Sequence, residues 1–312
     1  MPKVAQVALL FAVITGFSFA RGQAASPDAK VPAGTAGPAA AAPAGWPRVV
    51  LNVLLDTKKG VTASIPVSSL EILEDGTPQE IGSAAGPGSP VSLCILIDVS
   101  RSMTSKQSDV RDAAAALVKG LPPGSEVTVS AFAVESDLVL PFTPVEAVDL
   151  TLFDRLKFGH HTALIDSVIV AEQYIVKFAR YPRRALVLIT DGGENASGHG
   201  IRDLTHAMEM AGSPFVYALE IFNPSAPTPE GRMSVADFFP SAGVRIFRLS
   251  VAQDLPKGAT DISECINSQY ALSYRSALSA PDKRLHKIEV RPSEPDPRIK
   301  IDSLPGYYIQ SH

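Results

Sequence analysis

The chain has 312 residues, 46% of them apolar, and a formal charge of −4, enough apolar content for one large domain or two. That balance gives no basic field, and no run of Lys and Arg marks a nucleic-acid surface. Of the two cysteines, Cys94 falls inside an apolar strand, where a thiol is a small core hydrophobe, and pairing with Cys265 is open only in an oxidising compartment.

In chain order, the first segment reads as a leader. Lys3 opens a positive region, "VALLFAVITGFSFA" is an apolar core, and small residues follow at Ala20 and Ala24. A core helix or an uncleaved anchor is the alternative, but the run is short for a membrane span. Residues 1–24 are therefore expected to be a cleaved export signal, cut after Ala20 or Ala24. Residues 25–46, rich in Ala, Pro and Gly, have too few large apolar groups to bury and read as a disordered tether. No later segment is long and apolar enough to span a bilayer. The mature chain is expected to be exported: periplasmic, secreted or envelope-associated.

Residues 47–89 read as a β segment, with apolar alternation in "VVLNVLL" and "LEILE" and a turn signal at "EDG". Residues 90–268 then alternate strand and helix. "VSLCILIDV" is a strand, and "SDVRDAAAALVKGL" is a helix with Val110, Ala114, Leu117 and Leu121 on one face. "EVTVSAFAV" and "DLVLPFT" form an antiparallel hairpin. "TALIDSVIVAEQYIVKFARY" is a helix stopped by Pro182, and "RALVLITD" is a strand buried on both faces. "IRDLTHAMEMAG" is a helix, "PFVYALEIF" and "VRIFRLSV" are strands, and "DISECINSQ" is the last helix. Residues 269–312 return to β patterning, as in "HKIEVR", with a turn signal at "DPR". The predicted fold is α/β: a doubly wound, mostly parallel sheet with helices on both faces. A small β-rich module is added where the segment 269–312 pairs with 47–89, since either alone is too small to hold a core.

Open sheets of this class bind ligands outside the carboxyl ends of their strands, where strand order reverses. Two strands end in aspartate there, Asp98 and Asp191. Ser100 and Ser102 follow Asp98 at alternating positions, and Thr162 opens the helix between the two strands. If the three loops meet, two carboxylates and three hydroxyls converge, an oxygen-only set suited to a hard divalent cation. Taken singly, each residue has a plainer reading. Asp98, the serines and Thr162 could cap helices, and Asp191 before two glycines could be turn chemistry.

Other chemistries fit less well. No G-x-S-x-G, no G-x-x-x-x-G-K-[ST] and no G-x-G-x-x-G after a strand occurs. A metal-dependent phosphohydrolase would need a phosphate-binding cation in these loops, where only Arg101 offers itself. These absences weigh against an enzyme and leave a metal-free structural module open.

"ILIDVSRSM", "HHTALIDSV" and "LVLITDGGEN" resemble the three loops of the von Willebrand factor type A domain and its metal-ion-dependent adhesion site. The resemblance covers about residues 90–268. It implies that Asp98, Ser100 and Ser102 form the first loop, Thr162 the second and Asp191 the third. The implied cation is Mg²⁺, with Mn²⁺ or Ca²⁺ as alternatives, bound partly through water and open to an Asp or Glu of a protein partner. The flanks resemble those of exported bacterial proteins of the acidobacterial type-A-related family, which place β segments on both sides of the domain. The departure is at His160 and His161, where family members commonly carry two glycines. As additional ligands or pH sensors the two would alter the site; otherwise they face solvent.

Overall fold

The computed structural model describes residues 48–57, 64–159, 161–225, 234–239, 243–276 and 284–308. The leader at 1–24, the tether at 25–46 and His160 lie outside them. In chain order the elements are β1 (Arg48–Thr57), β2 (Leu70–Glu74), β3 (Thr77–Gln79), β4 (Ile81–Ala85), β5 (Ser92–Asp98), α1 (Gln107–Lys119), β6 (Glu126–Phe132) and β7 (Ser136–Pro144). They continue with α2 (Leu164–Phe178), β8 (Arg184–Thr190), α3 (Ile201–Met208), β9 (Phe215–Ile221), β10 (Val244–Leu249), α4 (Leu255–Ser268), β11 (Tyr270–Arg275), β12 (His286–Pro292), β13 (Ile299–Ser303) and β14 (Gly306–Tyr307).

The continuous apolar runs of β5 and β8 follow from cover on both faces. Leu93, Ile95 and Ile97 share a core with Val110, Ala114 and Leu117 of α1 and with Ala259, Ile262 and Ile266 of α4. The intervening Cys94 and Leu96 pack instead with Leu164, Val168 and Ile175 of α2 and Leu204 of α3. The strand order is β10-β9-β8-β5-β6-β7, parallel throughout except for the antiparallel β6–β7 hairpin. From β5 the chain first extends the sheet on one side, through β6, and later on the other, through β8. The switch point therefore lies between β5 and β8, the two strands that carry Asp98 and Asp191 at their carboxyl ends. Both cysteines are free thiols. Cys94 faces α2 and Cys265 packs against the core on the other face, so the fold keeps them apart.

One helix is longer than its pattern predicts. The reading "DISECINSQ" starts at Asp261, whereas α4 starts at Leu255. Pro256 sits in the first turn, where a missing N–H costs nothing. Gly258, which reads as a breaker, packs closely against the core: a Cβ there would lie 2.5 Å from Leu219 Cδ1, and that buried leucine would have to shift.

The two flanks form two antiparallel sheets, β13-β1-β11-β4 and β14-β12-β2-β3. Each sheet mixes strands from before and after the central domain, as in the Leu51–Leu272 and Ile72–Val290 pairs. Val49, Leu51, Val53 and Leu55 of β1 share a core with Ile72, Leu272, Ile288 and Val290, while Leu54 joins the core of the central domain. The β2–β3 turn is Asp75-Gly76 with φ of 48° and 81°, the left-handed pair that a two-residue hairpin loop needs.

Polar contacts tie the flanks to the central domain. Asn52 Oδ1 accepts from Arg184 N and Gln269 Nε2, and its Nδ2 donates to Ser213 O. Arg183 is fully buried and donates to the carbonyls of Ser89, Ile266 and Gln269, two of them at the C-terminal end of α4. The negative end of that helix supplies the opposing charge, although burial still pushes the guanidinium pKa down to about 10.

Candidate metal centre

Asp98 is the fixed point of the site. It is fully buried at the end of β5, where its Oδ1 accepts the Ser100 N–H at 2.8 Å and its Oδ2 accepts the Thr190 hydroxyl at 2.7 Å. It therefore holds the next loop in a tight turn and does not cap α1. Ser100 Oγ lies 3.1 Å from Ser102 Oγ, so both hydroxyls point the same way.

The second loop is placed by its backbone. Gly159, at φ +138°, donates its N–H to Val99 O at 2.9 Å, and Ala163 N donates to Ala133 O at 2.7 Å. Thr162 N donates to Asn195 Oδ1, while Thr162 O accepts the Asn195 and Ala196 N–H groups. The plainer reading of Thr162 as a helix cap fails. Ala163 occupies the N-cap position, and first-turn N–H groups of α2 are taken by Glu194 Oε2 and Ser197 Oγ. The Thr162 hydroxyl is thereby left available to the site.

In the third loop Asp191 follows β8, and Gly192 turns the chain at φ +85°, a conformation that favours glycine. Ser102 Oγ donates to Asp191 Oδ1 at 3.1 Å. A Cβ built on Gly193 would lie 3.6 Å from Thr162 Oγ1 and 4.0 Å from Asp191 Oδ1, which places the second and third loops around one point. The structure thus brings Asp98, Ser100, Ser102, Thr162 and Asp191 together at the switch point. Asp98, Ser100 and Thr162 are buried, whereas Ser102 is exposed and Asp191 half-buried, so the cluster opens to solvent.

Burial raises the Asp98 pKa to about 6, and the neighbouring Asp191 charge adds to the rise. Hydrogen bonds from Ser100 and Thr190 oppose it. A buried carboxylate beside a second one is held at a cost unless a cation joins them. The donors are all oxygen, and among the described residues no group of three or more His, Cys, Asp and Glu side chains is placed to hold a metal ion. That chemistry fits a hard cation such as Mg²⁺ and not a soft-ligand site.

Sequence reasoning missed two members of this site. Thr190 is a hydroxyl in an otherwise apolar strand, and that position was the available clue. Lys106 is the more consequential omission: its Nζ lies 2.7 Å from Asp191 Oδ2 and 2.7 Å from Ser102 O. Residues Arg101–Lys106 form a 3₁₀ turn, so the ammonium folds back over the loop. Arg101, the cation singled out from sequence, is exposed, as is His161.

Known proteins supply a comparison. No curated protein matches the chain. Among solved structures the chain is similar to a von Willebrand factor type A protein from Catenulispora acidiphila. The two are 11% identical, with 86% of this chain and 75% of that one covered and a TM-score of 0.49. It is also similar to the conserved hypothetical protein BatB from Bacteroides thetaiotaomicron, at 17% identity, with 57% and 100% covered and a TM-score of 0.44. A third is proximal thread matrix protein 1 from the mussel byssus, described with a zinc-occupied adhesion-site motif, at 11% identity, with 62% and 49% covered and a TM-score of 0.49. Over residues 93–194, the stretch that carries all five oxygen donors, the chain matches the family model of the von Willebrand factor type A domain.

Proposed function

We propose that the chain is an exported, metal-dependent protein-binding or adhesion module. In this reading Asp98, Ser100, Ser102, Thr162 and Asp191 hold one Mg²⁺ or Mn²⁺, and a partner presents an Asp or Glu side chain to it. The observation that carries the reading is the meeting of two carboxylates and three hydroxyls from three separate loops at the switch point of the sheet. Two carboxylates against a dication leave little excess negative charge, so the metal stays attractive to an incoming carboxylate. Export rests on the pattern of residues 1–24 and on the resemblance of the β flanks to those of exported bacterial type-A-related proteins. No catalytic role is assigned to any residue.

Calorimetric titration of the full chain with Mg²⁺ tests the metal, using Asp191→Ala as control. Saturable one-site binding in the wild type and none in the variant is expected. Capture from a native envelope extract, with and without chelator, then tests the partner. No Mg²⁺ binding would overturn the reading in favour of a metal-free structural module. The Lys106–Asp191 ion pair already gives that second reading a physical basis, because it joins the first and third loops without metal.

A further inference from the structure

We propose that Lys106 is a tethered cation that holds the site when metal is absent and must be expelled for a divalent ion to bind. The inference rests on the metal-binding reading above and concerns how that site is regulated. An ammonium has three donors and no acceptor. Here one donor is used on Asp191 Oδ2 and one on Ser102 O, both at 2.7 Å, while the side chain is only 20% exposed. Asp191 Oδ1 already accepts the Ser102 hydroxyl at 3.1 Å. Both oxygens of the third-loop carboxylate are therefore engaged by the first loop and its 3₁₀ extension.

A divalent ion bridging the same two loops needs those lone pairs and would sit beside the ammonium, where like charges repel. Two carboxylates and one ammonium sum to −1. Adding a dication with Lys106 in place gives +1, whereas replacing Lys106 with the dication gives 0. The exchange is the electrostatically favoured route. Lys106 stands at the junction of the 3₁₀ turn and α1, and its ammonium contacts Asp191 Oδ2, Ser102 O and, at 3.9 Å, Met103 Sδ, so its release breaks side-chain contacts and no bond between backbone groups. Metal affinity is thereby lowered by the cost of displacing a charge the chain itself supplies. The metal-free loops, in turn, stay clamped.

The test compares wild type, Lys106→Met and Lys106→Arg by Mg²⁺ calorimetry, together with amine labelling read by peptide mass spectrometry. Lys106→Met should bind Mg²⁺ at least tenfold more tightly, and Lys106→Arg, which keeps a cation in place, should remain near wild type. In the wild-type protein, labelling of Lys106 should rise several-fold on adding Mg²⁺, while exposed lysines such as Lys257 stay constant. Equal or weaker Mg²⁺ affinity in Lys106→Met, or unchanged Lys106 labelling at saturating Mg²⁺, would overturn the exchange alone. If neither wild type nor Lys106→Met binds Mg²⁺, the metal reading falls and the exchange falls with it.

Discussion

Removing the Asp98 carboxylate should change stability in a way that depends on both pH and metal. A carboxyl that ionises at about 6 in the fold and at 3.8 when free costs the metal-free fold about 3 kcal/mol once pH exceeds both values. The sign follows from proton counting. Between about pH 4 and 6 the folded state holds the extra proton, so metal-free stability falls as pH rises through that window. Asp98→Ala removes this cost but leaves the Ser100 N–H and the Thr190 hydroxyl without their acceptor, a loss of about 1 kcal/mol each. In chelator, the variant should therefore be about 2 kcal/mol less stable than wild type at pH 4. At pH 7.5 it should be equal to wild type or up to about 1 kcal/mol more stable. Adding Mg²⁺ at about 100 times its Kd should stabilise the wild type by about 2.7 kcal/mol and the variant not at all. Urea unfolding followed by circular dichroism, with and without chelator at the two pH values, measures all four differences. A wild-type–variant gap that is the same at both pH values, or an equal gain from Mg²⁺ in both proteins, would refute the reasoning.

Glu172 in α2 is fully buried with no partner in good hydrogen-bond geometry, and burial raises its pKa well above the ordinary value against a smaller opposing effect of the Ser213 hydroxyl. Its contribution is thus lost as pH rises towards the folded pKa. Glu172→Met should stabilise the protein at pH 8 by on the order of 1–3 kcal/mol and flatten that decline, as read by thermal melts across pH; a destabilised variant would show that the carboxyl has a ligand or partner. Ending the chain before Tyr270 removes the strand between β1 and β4 and the partner of β2. Six buried core side chains go with it, Tyr270, Leu272, Tyr274, Ile288, Val290 and Tyr307, worth on the order of 10 kcal/mol together. Limited proteolysis should then cut within residues 48–85, while Mg²⁺ affinity persists; resistance equal to that of the full chain would refute the interdependence.

Much of the central sheet was legible because its strands are buried on both faces. "CILI" and "ALVLI" have no polar side that a loop or an amphipathic helix could use, so only an interior strand satisfies them. The start of α4 was not legible for the opposite reason. Pro256 and Gly258 read locally as breakers, and the facts that redeem them are a first-turn position and the close approach of Leu219, neither of which exists before the fold does. The flanks were legible as strands from alternation. Their division into two sheets was not, because partners such as Leu51 and Leu272 are 221 residues apart and nothing local encodes which sheet a strand joins.

The candidate site shows the same boundary between local and tertiary information. Asp98, Ser100 and Ser102 are close in sequence, and a strand followed by a tight turn suffices to aim them together. Asp191 needs only the added knowledge that two parallel strands are neighbours. Lys106 requires the conformation of the loop itself. Read as an extended loop, "SRSMTSK" carries its lysine away from the serines. Wound as a 3₁₀ turn, it returns the ammonium to the carbonyl four residues earlier and from there to Asp191. The same few residues thus supply both the donors for a cation and a cation of their own. Their balance is set by geometry as much as by residue type, because it is the 3₁₀ winding that returns the ammonium to Asp191 and leaves that carboxylate paired within its own loops.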